Sequence, residues 1–123
     1  MPSSEVFTGS TTGLIASGAT VYLGSNGAQA TAVQTEYLTP VVGAAVKIVV
    51  SADQAPGSGE TFTYTLYQDG AATSLSGSVT GSDLGGTFFG DVPVNPGDNL
   101  SIQLVTSSGA IPAHHRYAIS VSG

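Results

Sequence analysis

The alternation of apolar and polar residues with a period of two is the feature that most constrains the fold. In residues 61–66, Phe62, Tyr64 and Leu66 alternate with three threonines. The same alternation recurs in residues 46–50, 100–104 and 117–121. Successive side chains of a strand point to opposite faces, and β-branched and aromatic residues favour strands. The pattern therefore predicts half-buried strands.

Turn-forming dipeptides separate these segments. They are Asn26-Gly27, Pro56-Gly57, Asp69-Gly70, Gly85-Gly86 and Pro96-Gly97. Asp69-Gly70 is typical of a tight hairpin turn with positive φ. The predicted strands cover residues 19–23, 33–39, 44–51, 61–68, 73–80, 87–94, 100–106 and 116–122. Short strands at this spacing predict an all-β fold, an antiparallel β-sandwich of about eight strands that is jelly-roll-like.

The first eighteen residues differ from the rest of the chain. Residues 1–18 consist mainly of Ser, Thr, Gly and Ala, with Val6 and Phe7 among the few apolar anchors. One interpretation is an extended N-terminal arm that lies on another subunit, and the other is an edge strand of the same sandwich. The chain is long enough for one core. We therefore expect a β-sandwich domain at 19–123, preceded by this arm or edge segment.

Charged residues are scarce. They form 8% of the chain, against roughly a quarter of a typical soluble domain. A free monomer usually carries more charge for solubility, so we expect neighbouring protein to cover much of the exterior. The net charge is −6, and the two bases are Lys47 and Arg116. Two bases cannot neutralise a run of phosphates, so we expect neither nucleic acid nor an anionic membrane as a partner.

Residues suited to catalysis are few. There is no cysteine, and His114-His115 would point to opposite faces if a strand begins there. Neither a Gly-x-Ser-x-Gly motif nor a phosphate-binding glycine motif is present. The aspartates at 53, 69, 83 and 98 lie in or beside predicted turns, where Asp caps the backbone. We therefore expect no enzymatic activity, no metal and no cofactor.

Exposed aromatic residues are the remaining candidates for binding. Tyr22, Tyr37, Tyr67 and Phe89 are expected to face away from the core. Tyrosines of this kind can stack on sugars, or they can fill a subunit interface. Since Phe88 and Phe89 are adjacent, one should enter the core and the other should be exposed. The residues predicted to contact a partner are Val6, Phe7, Phe89, Ala110, Ile111, Pro112, His114 and His115.

The chain from Gly18 onward resembles a small all-β domain found in virion proteins of tailed bacteriophages. The resemblance depends on the order of several segments. These are residues 19–24, Pro40-Val41 before 46–50, residues 55–65, the Asp69-Gly70 turn, residues 96–102 and a final strand ending at Ser122-Gly123. Members of this family often carry more Lys and Arg in the middle strands, so this chain departs from the family in composition.

The resemblance implies a structural role in the virion. The first hypothesis is a capsid decoration (cement) protein, a homo-oligomer and most simply a homotrimer. It would bind the major capsid protein on the outer capsid surface and stabilise the shell. The second hypothesis is a receptor- or glycan-binding head domain of a phage fibre or tail tip. Both hypotheses predict that the purified chain is oligomeric.

Overall fold

The computed structural model describes residues 4–11, 13–23, 29–30, 37–38 and 43–122, and its regular elements are all β-strands. They are β1 (Ser4–Ser10), β2 (Thr20–Leu23), β3 (Gln29–Ala30), β4 (Tyr37–Leu38), β5 (Gly43–Ala52), β6 (Gly57–Gln68), β7 (Ala71–Gly81), β8 (Gly85–Val94), β9 (Asn99–Thr106) and β10 (His115–Ser122). This part of the chain contains no helix that could span a membrane.

The strands form two antiparallel sheets. The first sheet has the order β1-β10-β5-β8. The second has β2-β9-β6-β7 as its longer strands, with the two-residue strand β3 beside β2 and β4 paired with β9. The all-β prediction with antiparallel sheets is therefore confirmed.

The core consists of the inward-facing side chains of both sheets. Phe62, Tyr64 and Leu66 are fully buried, while the threonines between them face outward. The other large core residues come from both sheets: Leu23, Ile48, Leu75, Val79, Leu100, Ile102, Leu104 and Ile119. Each fully buried side chain of this size contributes roughly 1.5–3 kcal/mol to folding. The period of two thus determines which side chains build the core.

The strand boundaries agree with the sequence pattern where the chain is described. Six predicted strands coincide within two residues at each end with β2, β5, β7, β8, β9 and β10, whereas β6 begins at Gly57, about four residues before the predicted start at 61. β4 lies within the predicted strand 33–39, and the remainder of that segment is outside the described residues. The predicted Asn26-Gly27 turn is also outside them. Asp69 (φ 50°) and Gly70 (φ 83°) form the predicted hairpin turn, and Gly97 (φ 89°) turns between β8 and β9.

The N-terminal segment is an edge strand. β1 pairs with β10 along its whole length, from Ser4 opposite Ser122 to Ser10 opposite Arg116. Beyond β1, Ile15 forms a bridge with Ala113 and is buried in the core. Of the two interpretations of this segment, the edge strand describes Ser4–Ser10, because the backbone of β10 pairs with these residues in the single chain, and the extended arm is not confirmed.

Gly85-Gly86 was expected to be a turn, but β8 begins at Gly85. Gly85 pairs with Ser51 of β5, and a Cβ atom at position 85 would overlap the carbonyl oxygen of Val50. The Cβ would also lie 3.1 Å from the Cα of Ser51. Since these are backbone atoms, they cannot move aside as a side chain would. The glycine is therefore required by the close approach of two strands.

We predict that Gly85→Ala lowers the free energy of unfolding by about 1–3 kcal/mol, because the added methyl group forces β5 and β8 apart. Gly13→Ala is the matched control, since a Cβ there meets no atom within 4 Å. It should change the stability by no more than about 0.5 kcal/mol. Urea denaturation followed by circular dichroism measures both. Equal midpoints for the two variants would contradict the account of Gly85.

Candidate functional site

The outer face of the first sheet carries both basic residues of the chain. We call it the basic face. It comprises Val6, Thr8, Ser10, Lys47, Val49, Ser51, Thr87, Phe89, Asp91, Arg116, Ala118 and Ser120. Val6, Ser120, Lys47 and Phe89 form one row across the four strands. Phe89 is 75% exposed and Val6 is 61% exposed, so this row presents large apolar side chains to solvent.

The outer face of the second sheet has a different chemistry. We call it the hydroxyl face. Its solvent-accessible residues include Thr20, Tyr22, Thr61, Thr63, Thr65, Tyr67, Ala72, Ser74, Ser76, Ser78, Thr80, Gln103 and Val105. None of these residues is charged, and all but Ala72, Gln103 and Val105 carry a hydroxyl group. Thr63 Oγ1 lies 2.9 Å from Ser78 Oγ, and Thr65 Oγ1 lies 3.1 Å from Ser76 Oγ, so pairs of hydroxyls are hydrogen-bonded across β6 and β7.

Three side chains of the hydroxyl face form a cluster. Gln103 Nε2 donates to the Tyr22 and Tyr67 hydroxyls, at 3.1 Å each. The two tyrosine rings meet edge to face, with centroids 5.3 Å apart. Desolvation, and secondarily the neighbouring Tyr22 hydroxyl, raises the pKa of Tyr67, so this hydroxyl remains a neutral donor and acceptor. The cluster is a preformed, uncharged group of rings and hydroxyls at the surface.

The loop between β9 and β10 is fastened by two carboxylates. Glu60 Oε1 accepts hydrogen bonds from Ser107 Oγ (2.8 Å) and the Gly109 amide (3.1 Å). Asp53 accepts from the His114 amide at 2.8 Å, and its other oxygen lies 2.8 Å from His114 Nδ1. The side-chain hydrogen bond from His114 is the main cause of the lowered pKa of Asp53. These acids hold the loop in place.

His115 lies inside the core. Its side chain is fully buried, and its Nδ1 shares a 2.7 Å hydrogen bond with the Tyr64 hydroxyl of the opposite sheet. The Phe62 ring packs edge to face against the imidazole, with centroids 4.7 Å apart. Nε2 has no hydrogen-bond partner among the described residues. Burial lowers the pKa of His115 to about 4 and raises that of Tyr64, so both side chains are neutral at pH 7.

The predicted contact residues separate into three groups. Val6 and Phe89 lie in one row of the basic face, and Ile111, Pro112 and His114 are exposed in the 107–114 loop. Ala110 and His115 were wrong as contact residues, because Ala110 is 2% exposed and His115 is fully buried. The side chain of Phe7 is outside the described residues. The expectation that His114 and His115 point to opposite sides is confirmed.

Several other expectations are confirmed by side-chain placement. Phe88 packs partly buried against the core and stacks on Tyr64, whereas Phe89 is exposed. Tyr22 and Tyr67 lie on an outer face, and the side chain of Tyr37 is outside the described residues. Asp69 and Asp98 accept backbone hydrogen bonds at turns, as expected of turn acids. The expectation of no bound metal stays a prediction, although no three potential metal ligands come together among the described residues.

Sequence reasoning missed the placement of Lys47, Arg116 and Gln103. Lys47 and Arg116 share a face only because β5 pairs with β10 in one register, and Gln103 meets both tyrosines because β9 lies between β2 and β6. The signal that was available is that each residue occupies an outward position of its strand.

Compared with known proteins, the chain matches no protein-family model and no curated protein.

The buried His115 predicts a pH-dependent stability. Its pKa is about 4 in the folded chain and about 6.5 when unfolded, so the unfolded chain binds more protons between these values. The free energy of unfolding should therefore fall by about 3 kcal/mol as the pH drops from 6.5 to 4. Urea denaturation at a series of pH values in this window measures the fall.

The adjacent histidines supply a matched pair of variants. His114→Gln should retain this fall, because His114 is exposed and lies outside the core. His115→Phe removes the titrating group and should flatten the stability between pH 6.5 and 4, whatever its effect at pH 7. An unchanged pH dependence in His115→Phe would show that another group is responsible.

Proposed function

We propose that the chain is a structural protein of a bacteriophage virion, a capsid decoration protein that forms homotrimers on the outer capsid surface. It would bind the major capsid protein and stabilise the shell, without catalysis and without a cofactor. Repeated, symmetric binding across a shell adds up by avidity even when each contact is small. The observation that carries the proposal is the uncharged hydroxyl face on a chain with few charges.

The strand pairing supports this proposal through the fold that it suggests. The pairs β1–β10, β2–β9, β5–β8 and β6–β7 nest inside one another along the chain. Such nested pairs form one long antiparallel ribbon, and rolling that ribbon up yields the two observed sheets. We propose that the fold is a jelly roll, an architecture used by viral capsid proteins and by lectins. Fold alone does not decide between those functions.

The chemistry of the hydroxyl face supports a protein contact. Burying a charged group at an interface is costly unless it is paired, whereas hydroxyls can exchange water for protein partners at little cost. Thr63 and Thr65 already bond to Ser78 and Ser76, so their hydroxyls are satisfied within the sheet. A neighbouring protein can therefore cover this face without leaving unpaired charges. Interfaces are generally depleted of charged residues at their centres.

Charges introduced on the hydroxyl face test the proposal. Thr20 and Ser78 are exposed, and they lie at opposite ends of one row across β2, β9, β6 and β7. Thr20→Glu with Ser78→Glu would place two carboxylates in the contact, and we predict at least about a tenfold loss of affinity for purified shells that lack the chain. Co-sedimentation of the labelled chain with shells measures the affinity.

The matched control adds the same charge elsewhere. Gln54→Glu with Ser58→Glu changes two exposed positions off both faces and should bind shells as the unaltered chain does. Thermal unfolding of all three proteins would verify that each is folded. The decoration proposal fails if the unaltered chain does not bind shells. Contact through the hydroxyl face fails if both double variants bind equally well.

A second candidate function is a glycan-binding head domain of a phage fibre or tail tip. The Tyr22–Tyr67–Gln103 cluster favours it, because two rings and their hydroxyls are held in place without any charge. Neutral sugars are bound by stacking on aromatic rings and by hydrogen bonds to hydroxyls and amides. The glycan-binding candidate and the decoration proposal both use the hydroxyl face. Only one of them can be the main role of that face.

Two measurements separate these candidates. Quantitative mass spectrometry of purified particles should give hundreds of copies per particle for a decoration protein and tens or fewer for a fibre head. A glycan array probed with the isolated chain should show binding only for the head domain, and Tyr67→Ala should abolish it. Phe89→Ala removes an exposed ring from the opposite face and serves as the control for that loss.

A further inference from the structure

The positive charge of this acidic protein is concentrated on one face. Lys47 and Arg116 are the chain's only Lys and Arg residues, and both are exposed on the basic face. Neither forms an ion pair with a described residue. Of the described acids, only Asp91 lies on this face, at its β8 edge. The basic face is therefore a positive area on a molecule with a net charge of −6.

The basic face also has an apolar depression beside one of these charges. A shallow cavity of about 270 Å³ is lined by Val49, Val50, Ser51, Arg116, Tyr117 and Ala118. The small side chains of Ser51 and Ala118 leave this space between the strands, and Val49 is 40% exposed. A ligand with an apolar group and a negative charge suits this depression, because Arg116 lines it together with mainly apolar residues.

The chain itself carries an exposed acid next to an exposed apolar residue. The turn between β7 and β8 carries Asp83 and Leu84, both exposed, and Leu84 is 52% exposed. The turn is held in position, because the Leu84 carbonyl accepts a hydrogen bond from the Ala52 amide and the Asp83 amide donates to the Thr80 carbonyl. The other described acid next to a large exposed apolar residue is Glu5, before Val6, and Val6 belongs to the basic face itself.

We infer that the basic face binds a second copy of this chain, with Leu84 of one copy in the apolar depression of the next and Asp83 beside its Arg116. In a homotrimer the turn of each copy would meet the depression of the next, a head-to-tail contact that forms a ring when the rotation between copies closes. The inference deepens the homotrimer part of the proposed function and rests on it. It leaves the hydroxyl face free for another partner.

The dimensions of the basic face allow a contact that is smaller than a standard interface. Four strands about 4.8 Å apart, each about eight residues long at roughly 3.3 Å per residue, give a face of about 500 Å². A standard interface buries about 800 Å² on each partner. The row that contains Val6 and Phe89 lies within this face and supplies its exposed apolar area beside the depression. Face-to-face pairing of two basic faces is disfavoured, because it would bring four positive charges together with only two carboxylates.

Sedimentation velocity of the purified chain at micromolar concentrations tests the inference. The unaltered chain should be oligomeric, and Arg116→Glu and Leu84→Ser should each raise the dissociation constant by at least about tenfold. Asp83→Arg combined with Arg116→Glu reverses the ion pair and should restore association relative to Arg116→Glu alone. High salt should weaken the contact without abolishing it, because salt screens the charges but not the apolar part.

Leu14→Ser is the matched control, since Leu14 is 58% exposed and belongs to neither face, and it should leave association unchanged. A monomeric unaltered chain would overturn the inference and leave the basic face to a different acidic partner. Oligomers that resist Arg116→Glu and Leu84→Ser would also overturn it, since they would associate through another surface. Shell binding is measured separately, so a chain that binds shells as a monomer refutes the self-contact and not the decoration proposal.

Discussion

The structure depends on burying one face of each sheet against the other. Alternate residues of β6, β9 and β10 are almost completely excluded from water, and they supply most of the apolar area that stabilises the fold. The Tyr64–His115 hydrogen bond joins the two sheets inside this core. Because the inner positions are committed to packing, only the outward positions are free to determine what the protein binds. Function therefore has to be sought on the outer faces.

The two outer faces differ in a way that suggests different partners. The hydroxyl face is uncharged, and its hydroxyls are partly paired within the sheet, which suits a broad contact with another protein or with a neutral glycan. The basic face combines Lys47 and Arg116 with exposed apolar side chains. The few positive charges of this acidic chain lie on one face, and its own acidic turns carry the opposite charge. We propose that the protein contacts its own copies through one face and a different partner through the other.

The sequence was sufficient to predict the features that depend on local pattern. The period of two identified Phe62, Tyr64 and Leu66 as core residues, and the turn at Asp69-Gly70 followed from its backbone preferences. Features that depend on register between distant strands could not be predicted. The common face of Lys47 and Arg116 requires the β5–β10 register. The burial of His115 requires that Tyr64 lie opposite it in the folded chain, a contact between residues 51 positions apart.

A reconstruction of the assembled particle by electron cryo-microscopy tests the central claim most directly, namely that neighbouring protein covers the uncharged exterior of this chain. The account predicts continuous protein density of the shell over Thr63, Thr65 and Ser78 of the hydroxyl face, in every copy. Copies whose hydroxyl face is open to solvent throughout the particle would contradict it.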